Sequence, residues 1–182
     1  MDFSKIISFL EANIPTLARA YYEQVQKSDF MLTYRKLDEP KIILREEAVF
    51  KNMIEWLKTG ASNDKAEQFF EKIGRERFNE RFPLTEINYA LYITKKVFWS
   101  FVAWKPELFP NTDFQTMVEQ MTVLGNFFDL GSFYIVRSYL NELFNKIDEA
   151  SKLTKEDMKK LLVKGEFDKD NLDKSEIVWR NI

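Results

Sequence analysis

The scarcity of helix-breaking residues is the feature that most restricts the fold of this chain. Only five Gly and five Pro occur in 182 residues, and no proline follows Pro110. Apolar residues recur at spacings of three and four rather than in strict alternation, which is the pattern of amphipathic helices. The sequence therefore predicts an all-α protein.

The prolines and Gly60 divide this pattern into separate segments. A proline costs little at a helix start, where its missing N–H has no partner, and a glycine after a helix is a common stop signal. We therefore expect Pro15 to begin a second helix and Gly60 to end a third. Helices are predicted over about residues 3–12, 15–27, 40–58, 64–82, 84–104, 113–151 and 154–164.

The predicted helix over residues 113–151 is unusually long and carries two apolar stripes. It would extend roughly 58 Å, whereas a compact chain of this size has a radius of gyration of roughly 16 Å. One stripe can face the core of the domain and the other a second copy, which predicts a homodimer. The alternative is a helix broken near Gly131 with both stripes internal. The predicted interface residues are Leu130, Phe133, Val136, Leu140, Phe144 and Ile147.

The chain contains no His and no Cys, which excludes most catalytic and metal-binding chemistry. A Ser-His-Asp triad, a thiolate nucleophile, an ordinary zinc site and a His or Cys ligand to haem all need one of these residues. We therefore expect no enzyme activity, no metal and no cofactor. The net charge of −2 gives no drive toward nucleic acid.

The composition also indicates where the protein works. No disulfide can form without Cys, and the N-terminal residues lack the pattern of a secretory signal. No apolar stretch approaches the roughly 20 residues that span a bilayer. We therefore expect a cytoplasmic protein without a membrane span.

A glycine inside an otherwise regular helix marks the most informative segment. Gly74 costs a helix about 1 kcal/mol relative to Ala, so we expect a second helix to cross closely there. The segment Ile73-Gly74-Arg75-Glu76-Arg77 is followed by Phe82-Pro83-Leu84, Glu86 and a long amphipathic helix. Over about residues 69–104 this pattern resembles the N-terminal sensor domain of stressosome co-antagonist (RsbRD-type) proteins.

The resemblance implies a globin-like, haem-free helical bundle that dimerises through its terminal helices. It also implies that signals pass to a STAS or kinase domain. Phe78 departs from the family, which often has a small residue there, and no output domain follows in this chain. Either a separate STAS-domain protein or switch kinase is the partner, or the chain is a piece of a longer protein. We expect a sensor domain over residues 1–152 and a charged helix and tail over 153–182.

Aromatic residues are abundant, with 17 Phe, seven Tyr and four Trp. They either fill a core of large side chains or surround an apolar ligand such as a fatty acid, with tyrosine hydroxyls orienting its carboxylate. Asp129 lies in an apolar run, where it is either functional or a polar gap between the two stripes. The predicted ligand-binding residues are Tyr92, Phe98, Trp99, Phe101, Val102, Phe128 and Tyr134.

These observations together predict a non-enzymatic, haem-free sensor domain. It would act through dimerisation and partner binding, in regulation of the stress-response type that the resemblance implies. The alternative is a carrier or sensor of a fatty acid or a similar apolar ligand.

Overall fold

The computed structural model of the protein describes residues 2–103, 105–109 and 113–150, together with Thr154 and Glu156. The described residues form five α-helices and two short 3-10 turns, and no strand occurs among them. The prediction of an all-α bundle with a long helix in its C-terminal half is confirmed. The helices are α1 (Ser4–Lys27), α2 (Glu39–Lys58), α3 (Asn63–Asn79), α4 (Leu84–Val102) and α5 (Phe114–Ala150), and the turns are Tyr34–Lys36 and Pro106–Leu108.

Helix α1 is continuous, so the prediction of two helices separated at Pro15 is wrong. Pro15 lies on the exposed face, and the apolar stripe of α1 continues past it without a change of register. Burial of that stripe outweighs the one backbone hydrogen bond that the proline removes. The buried residues of α1 are Ile6, Leu10, Ile14, Leu17, Ala18, Tyr21 and Val25.

Local signals place the ends of α2 correctly. Pro40 lies in the first turn, where its missing N–H costs nothing. The helix ends at Lys58, and Gly60 adopts a positive φ of 76°, a conformation that glycine reaches without steric cost. The expected stop at Gly60 is confirmed.

The glycines of α3 and α5 allow close contact between elements. A Cβ atom on Gly74 would lie 2.7 Å from the backbone oxygen of Ile135 and would collide with the side chain of Ser138. On Gly131 it would lie 2.6 Å from the ring of Phe70. The close crossing predicted from Gly74 is confirmed, and it is the crossing of α3 with α5.

The chain divides into two compact units, residues 1–139 and 140–182. The first unit contains α1 to α4 and α5 as far as Tyr139, and its core is built mainly from Phe, Ile and Leu side chains. Helix α5 is unbroken at Gly131, contrary to the alternative considered above. The predicted charged helix and tail lie outside the described residues except for Thr154 and Glu156. Among the described helices, none combines the length and the apolar character needed to cross a bilayer.

Candidate functional site

A cavity of about 50 Å³ lies in the first unit, among α1 to α4, the first 3-10 turn and α5. We call it the central cavity. Apolar side chains form most of its wall, but each element except α5 also contributes a polar or charged side chain. It is lined by Tyr21, Tyr34, Ile42, Arg45, Glu46, Val49, Phe70, Ile73, Arg77, Ile87, Ala90, Leu91, Thr94 and Ile135.

Glu46 is buried because it occupies a core position of α2. It lies four residues after Ile42 and four before Phe50, so all three share the face that packs inward. Only 3% of its surface is exposed. Sequence reasoning missed this residue as a site candidate. The signal that could have found it is a carboxylate at a position that the helical period assigns to the core.

Only one of the two carboxyl oxygens of Glu46 has a hydrogen-bond partner among the described residues. The hydroxyl of Thr94 donates to Oε2 at 3.1 Å, and it also lies 3.1 Å from the backbone oxygen of Ala90. Nothing in the described part of the chain hydrogen-bonds Oε1. Burial raises the pKa of Glu46 to about 8, against a smaller lowering by Thr94. The group is therefore mainly a neutral carboxylic acid at pH 7.

Two guanidinium groups also line the cavity, and Glu80 pairs with both. Arg77 Nη1 lies 3.1 Å from Glu80 Oε2, and Arg45 Nη2 pairs with Glu80 Oε1. Both guanidinium groups lie over the ring of Phe82, at 5.6 and 5.9 Å from its centroid. Arg45 Nη1 and Arg77 Nε are buried and have no hydrogen-bond partner among the described residues. Buried donors of this kind mark a place that a hydrogen-bond acceptor can occupy.

Two tyrosines complete the polar wall of the cavity. Burial raises the pKa of both Tyr21 and Tyr34, and the Arg77 guanidinium opposes the increase at Tyr34. Both are therefore neutral phenols at pH 7, able to donate or accept a hydrogen bond.

The turn that carries Tyr34 is held by a carboxylate of α4. Glu86 accepts hydrogen bonds from the backbone N–H of Thr33 at 2.9 Å, from the Thr33 hydroxyl at 2.9 Å and from the N–H of Tyr34 at 3.3 Å. The ring of Tyr34 packs edge-on against Phe82, with centroids 4.8 Å apart. This clamp places the Tyr34 ring at the cavity.

The balance of charge around the central cavity is positive. Arg45, Arg77 and Lys41 carry three positive charges in this cluster, Glu80 and Glu76 pair with them as two negative charges, and Glu46 is neutral. An anionic group with an apolar body fits this combination of unpartnered donors and apolar wall.

A second cavity of about 90 Å³ lies near the end of α2 and the start of α3. Trp56 lines it, and its buried indole N–H has no partner within the described part of the chain. The other lining residues are Asn52, Glu55, Thr59, Lys65, Ala66, Phe69 and Phe127.

The residues predicted to bind a ligand lie away from both cavities, and all but Tyr92 are buried or partly buried. Phe98, Val102, Phe128 and Tyr134 are buried, Trp99 and Phe101 are partly buried, and Tyr92 is 55% exposed. The Phe98 ring packs against Trp99 at 5.0 Å and against Phe128 at 5.5 Å. None of the seven lines either of the two cavities described above. Their role as ligand-binding residues stays a prediction.

The residues predicted to form a dimer interface differ in exposure. Phe133 is 57% exposed, whereas Leu130 packs partly against the core of its own chain. Phe144 is only 4% exposed, and Val136, Leu140 and Ile147 are half-buried.

Asp129 directly precedes Leu130, the first of the predicted interface residues of α5, and is exposed at the surface. Its Oδ1 accepts a hydrogen bond from the ammonium group of Lys95 at 2.7 Å. This position agrees with the polar-gap alternative rather than with a functional buried carboxylate.

The described part of the first unit is all-α, and its central cavity combines an apolar wall with several polar side chains. A family model described as the histidine kinase N-terminal domain matches residues 4–141. The chain belongs to this family, which is a sensor-type signalling domain. No curated protein and no solved structure matches the chain significantly. The sensor class is confirmed, and the specific link to stressosome proteins stays a prediction.

Proposed function

We propose that the protein is a non-enzymatic, haem-free sensor domain with a globin-like helical arrangement and a cytoplasmic location. A small ligand enters the central cavity, and the response passes to a signalling partner. The family favours a histidine kinase as this partner. A STAS-domain protein or a switch kinase is the partner that the stressosome resemblance implies.

The composition of the central cavity supports a binding role rather than catalysis. Its polar groups are two guanidinium groups, one neutral carboxyl, two phenols and one hydroxyl. Thr94 Oγ1 bonds to the buried acid and to a backbone oxygen, so no base activates it as a nucleophile. We therefore expect the protein as purified to show no Soret absorbance and no turnover of bound ligand.

The ligand that fits best is a carboxylic acid with an apolar tail, such as a fatty acid. The observation that carries this proposal is the pair of buried, unpartnered N–H donors on Arg45 and Arg77 beside an apolar wall. At about 50 Å³ the cavity holds only a head group, so the tail must displace side chains of the wall. A ligand that binds the displaced arrangement better shifts the population toward it, which is how a sensor responds.

Binding of decanoate, compared with decanol, tests this proposal. Both have the same apolar chain, and only decanoate offers a carboxylate to the guanidinium groups. We expect decanoate to bind at least about tenfold more tightly in isothermal titration calorimetry, because charge-assisted hydrogen bonds contribute about 1.5–3 kcal/mol. Equal affinity for the two compounds, or no binding of either, would contradict the proposal.

A pair of arginine variants on α3 controls for charge. Arg77→Met should weaken decanoate binding by about tenfold or more, since it removes a donor of the cavity. Arg75→Met is the matched control, because Arg75 is exposed and pairs with Glu71 at 3.4 Å on the surface. We expect Arg75→Met to bind decanoate like the wild type, and both variants are first checked by circular dichroism.

An apolar face of α5 supports the dimer that the sequence predicts. Phe114, Val118 and Phe133 are exposed on this helix, and Tyr92 of α4 is exposed as well. A Cβ on Gly125 would have no atom of the described residues within 4 Å, so packing within the described part of the chain does not require this glycine. A mid-helix glycine costs about 1 kcal/mol relative to Ala, and close approach of a second copy would account for it. We propose that two copies pack across this face.

A further inference from the structure

The buried acid of the central cavity has a hydrogen-bonding arrangement that suits a protonated group. The Thr94 hydroxyl has one proton but lies 3.1 Å from both Glu46 Oε2 and the Ala90 backbone oxygen. If that proton goes to Ala90, Glu46 must donate to Thr94, which requires the acid to be protonated. If it goes to Oε2, the acid proton can sit on the unpartnered Oε1. In the second arrangement the proton on Oε1 has no acceptor within the described part of the chain, so it is available to a bound ligand.

The charged and titratable neighbours agree with a neutral Glu46. Tyr21 from α1 and Tyr34 from the 3-10 turn are neutral phenols, and α5 contributes only the apolar Ile135. Arg45 from α2 pairs with Glu80, and Arg77 from α3 pairs with Glu80 and Glu76, so neither arginine forms an ion pair with Glu46. Helix α4 contributes one polar group near Glu46, the uncharged hydroxyl of Thr94. With no ion pair from either arginine, burial dominates and raises the pKa of Glu46 to about 8.

We infer that Glu46 binds the ligand as a neutral acid, donating a hydrogen bond to the ligand carboxylate, so that the ligand and one proton are held in the cavity together. This inference rests on the proposed carboxylate site. The arginines supply the charge that attracts the ligand, and Glu46 supplies the proton that a second carboxylate in the same cavity requires. Two ionised carboxylates at this place would repel each other in a poorly solvated environment.

The consequence is a sensor that responds to its ligand and to pH jointly. Below the pKa of free Glu46 the proton is already present, and the affinity does not depend on pH. Above about pH 8 the proton must be taken up from solvent on binding, so the affinity falls by about tenfold per pH unit. Glu46 takes up this proton when the ligand binds and releases it when the ligand leaves, so the coupling between ligand and pH is reversible.

Calorimetry of decanoate binding between pH 6 and pH 9.5 tests the inference. Decanoate is ionised over this whole range, so the pH dependence comes from the protein. We expect the wild type to lose about tenfold in affinity per unit above pH 8, with proton uptake seen as a heat that depends on the buffer. Glu46→Gln should bind with an affinity that is independent of pH. Glu47→Gln is the matched control, because Glu47 pairs with Lys51 at 2.9 Å and does not line the cavity, and it should behave like the wild type.

The outcomes separate the inference from the proposed function. Binding of decanoate that is equally insensitive to pH in the wild type and in Glu46→Gln overturns the inference and leaves the carboxylate site standing. Absence of binding at every pH overturns the carboxylate site and the inference with it. A ¹³C NMR titration of the free protein is a second measurement. A Glu46 carboxyl that titrates near the ordinary 4.5 overturns the inference whatever decanoate does.

Discussion

At the scale of single residues, two glycines show how the absence of a side chain serves different purposes. Gly74 is buried where α3 crosses α5, and the crossing leaves no room for a Cβ atom. Gly125 faces open space on α5. The two positions carry the same residue in the same kind of helix, so their substitution by Ala isolates the effect of packing.

Alanine substitution at these glycines should change the stability in opposite directions. Gly74→Ala should lower the free energy of unfolding by about 1–3 kcal/mol, because the Cβ forces α3 and α5 apart. Gly125→Ala should raise it by up to about 1 kcal/mol through helix propensity alone. Urea denaturation of dilute, monomeric protein measures both. Similar changes at the two positions would show that the α3–α5 crossing is not as close as described.

Glu46 should make the stability of the protein depend on pH. The unfolded chain loses this proton near pH 4.5 and the folded chain near pH 8. Between these values Glu46 is ionised only in the unfolded state, so its contribution to the free energy of unfolding falls as the pH rises from 4.5 to 8 and is constant outside this window. The full change amounts to several kcal/mol, at about 1.4 kcal/mol per pH unit.

Comparison of wild type and Glu46→Gln by urea denaturation from pH 5 to pH 8 isolates this effect. The variant lacks the titration, so its stability relative to the wild type should increase steadily with pH. Glu47→Gln serves again as the control and should keep the pH profile of the wild type. A difference between wild type and Glu46→Gln that is the same at pH 5 and pH 8 would contradict the buried, neutral carboxyl.

At the scale of elements, the connection between α1 and α2 depends on one carboxylate of α4. Glu86 accepts hydrogen bonds from three donor groups of Thr33 and Tyr34, and this places Tyr34 at the cavity. A hydrogen bond to a charged group contributes about 1.5–3 kcal/mol to the free energy of unfolding. The clamp therefore links the start of α4 to the wall of the central cavity.

Removal of the Glu86 charge should loosen this connection before it affects the rest of the bundle. Glu86→Gln should lower the free energy of unfolding by about 1–3 kcal/mol and speed amide hydrogen exchange at Thr33 and Tyr34 by about tenfold or more. Glu39→Gln is the control, since Glu39 forms an exposed ion pair with Arg19 at the end of the same connection. Exposed pairs contribute little, so its exchange should match the wild type. Unchanged exchange in Glu86→Gln would contradict the clamp.

At the scale of the whole molecule, the exposed apolar face of α5 predicts self-association. Sedimentation equilibrium at tens of micromolar should show a dimer for the wild type. Phe133→Lys should shift it to monomer, because it places a charge among the apolar contacts of the proposed interface. Leu44→Lys is the matched control, since Leu44 is exposed to a similar degree on α2 and lies outside that face. A monomeric wild type, or a Phe133→Lys variant that dimerises as well as Leu44→Lys, would exclude this interface.

Local features of the sequence were sufficient to predict most of the helices and one contact between them. The helical period and the rarity of Gly and Pro predict the all-α bundle, and the mid-helix Gly74 predicts a close crossing. The prediction of a helix boundary at Pro15 is wrong because the effect of a proline depends on the packing around it. A proline breaks a helix only if packing does not compensate for its lost hydrogen bond, and the buried stripe of α1 provides that compensation.

The central cavity could not be predicted in the same way, although Glu46 at a core position of α2 was a readable signal. Its wall combines Tyr21, Glu46, Arg77 and Thr94 with the turn that Glu86 holds, and these residues are far apart in sequence.

The sequence alone determined that this protein is helical and that it lacks the usual residues for catalysis and haem binding, because those properties follow from composition and from spacing within one turn or two. Only the tertiary structure decided which polar side chains are withdrawn from water and left without partners. Burial and hydrogen bonding depend on what neighbouring elements supply, and no single segment carries that information.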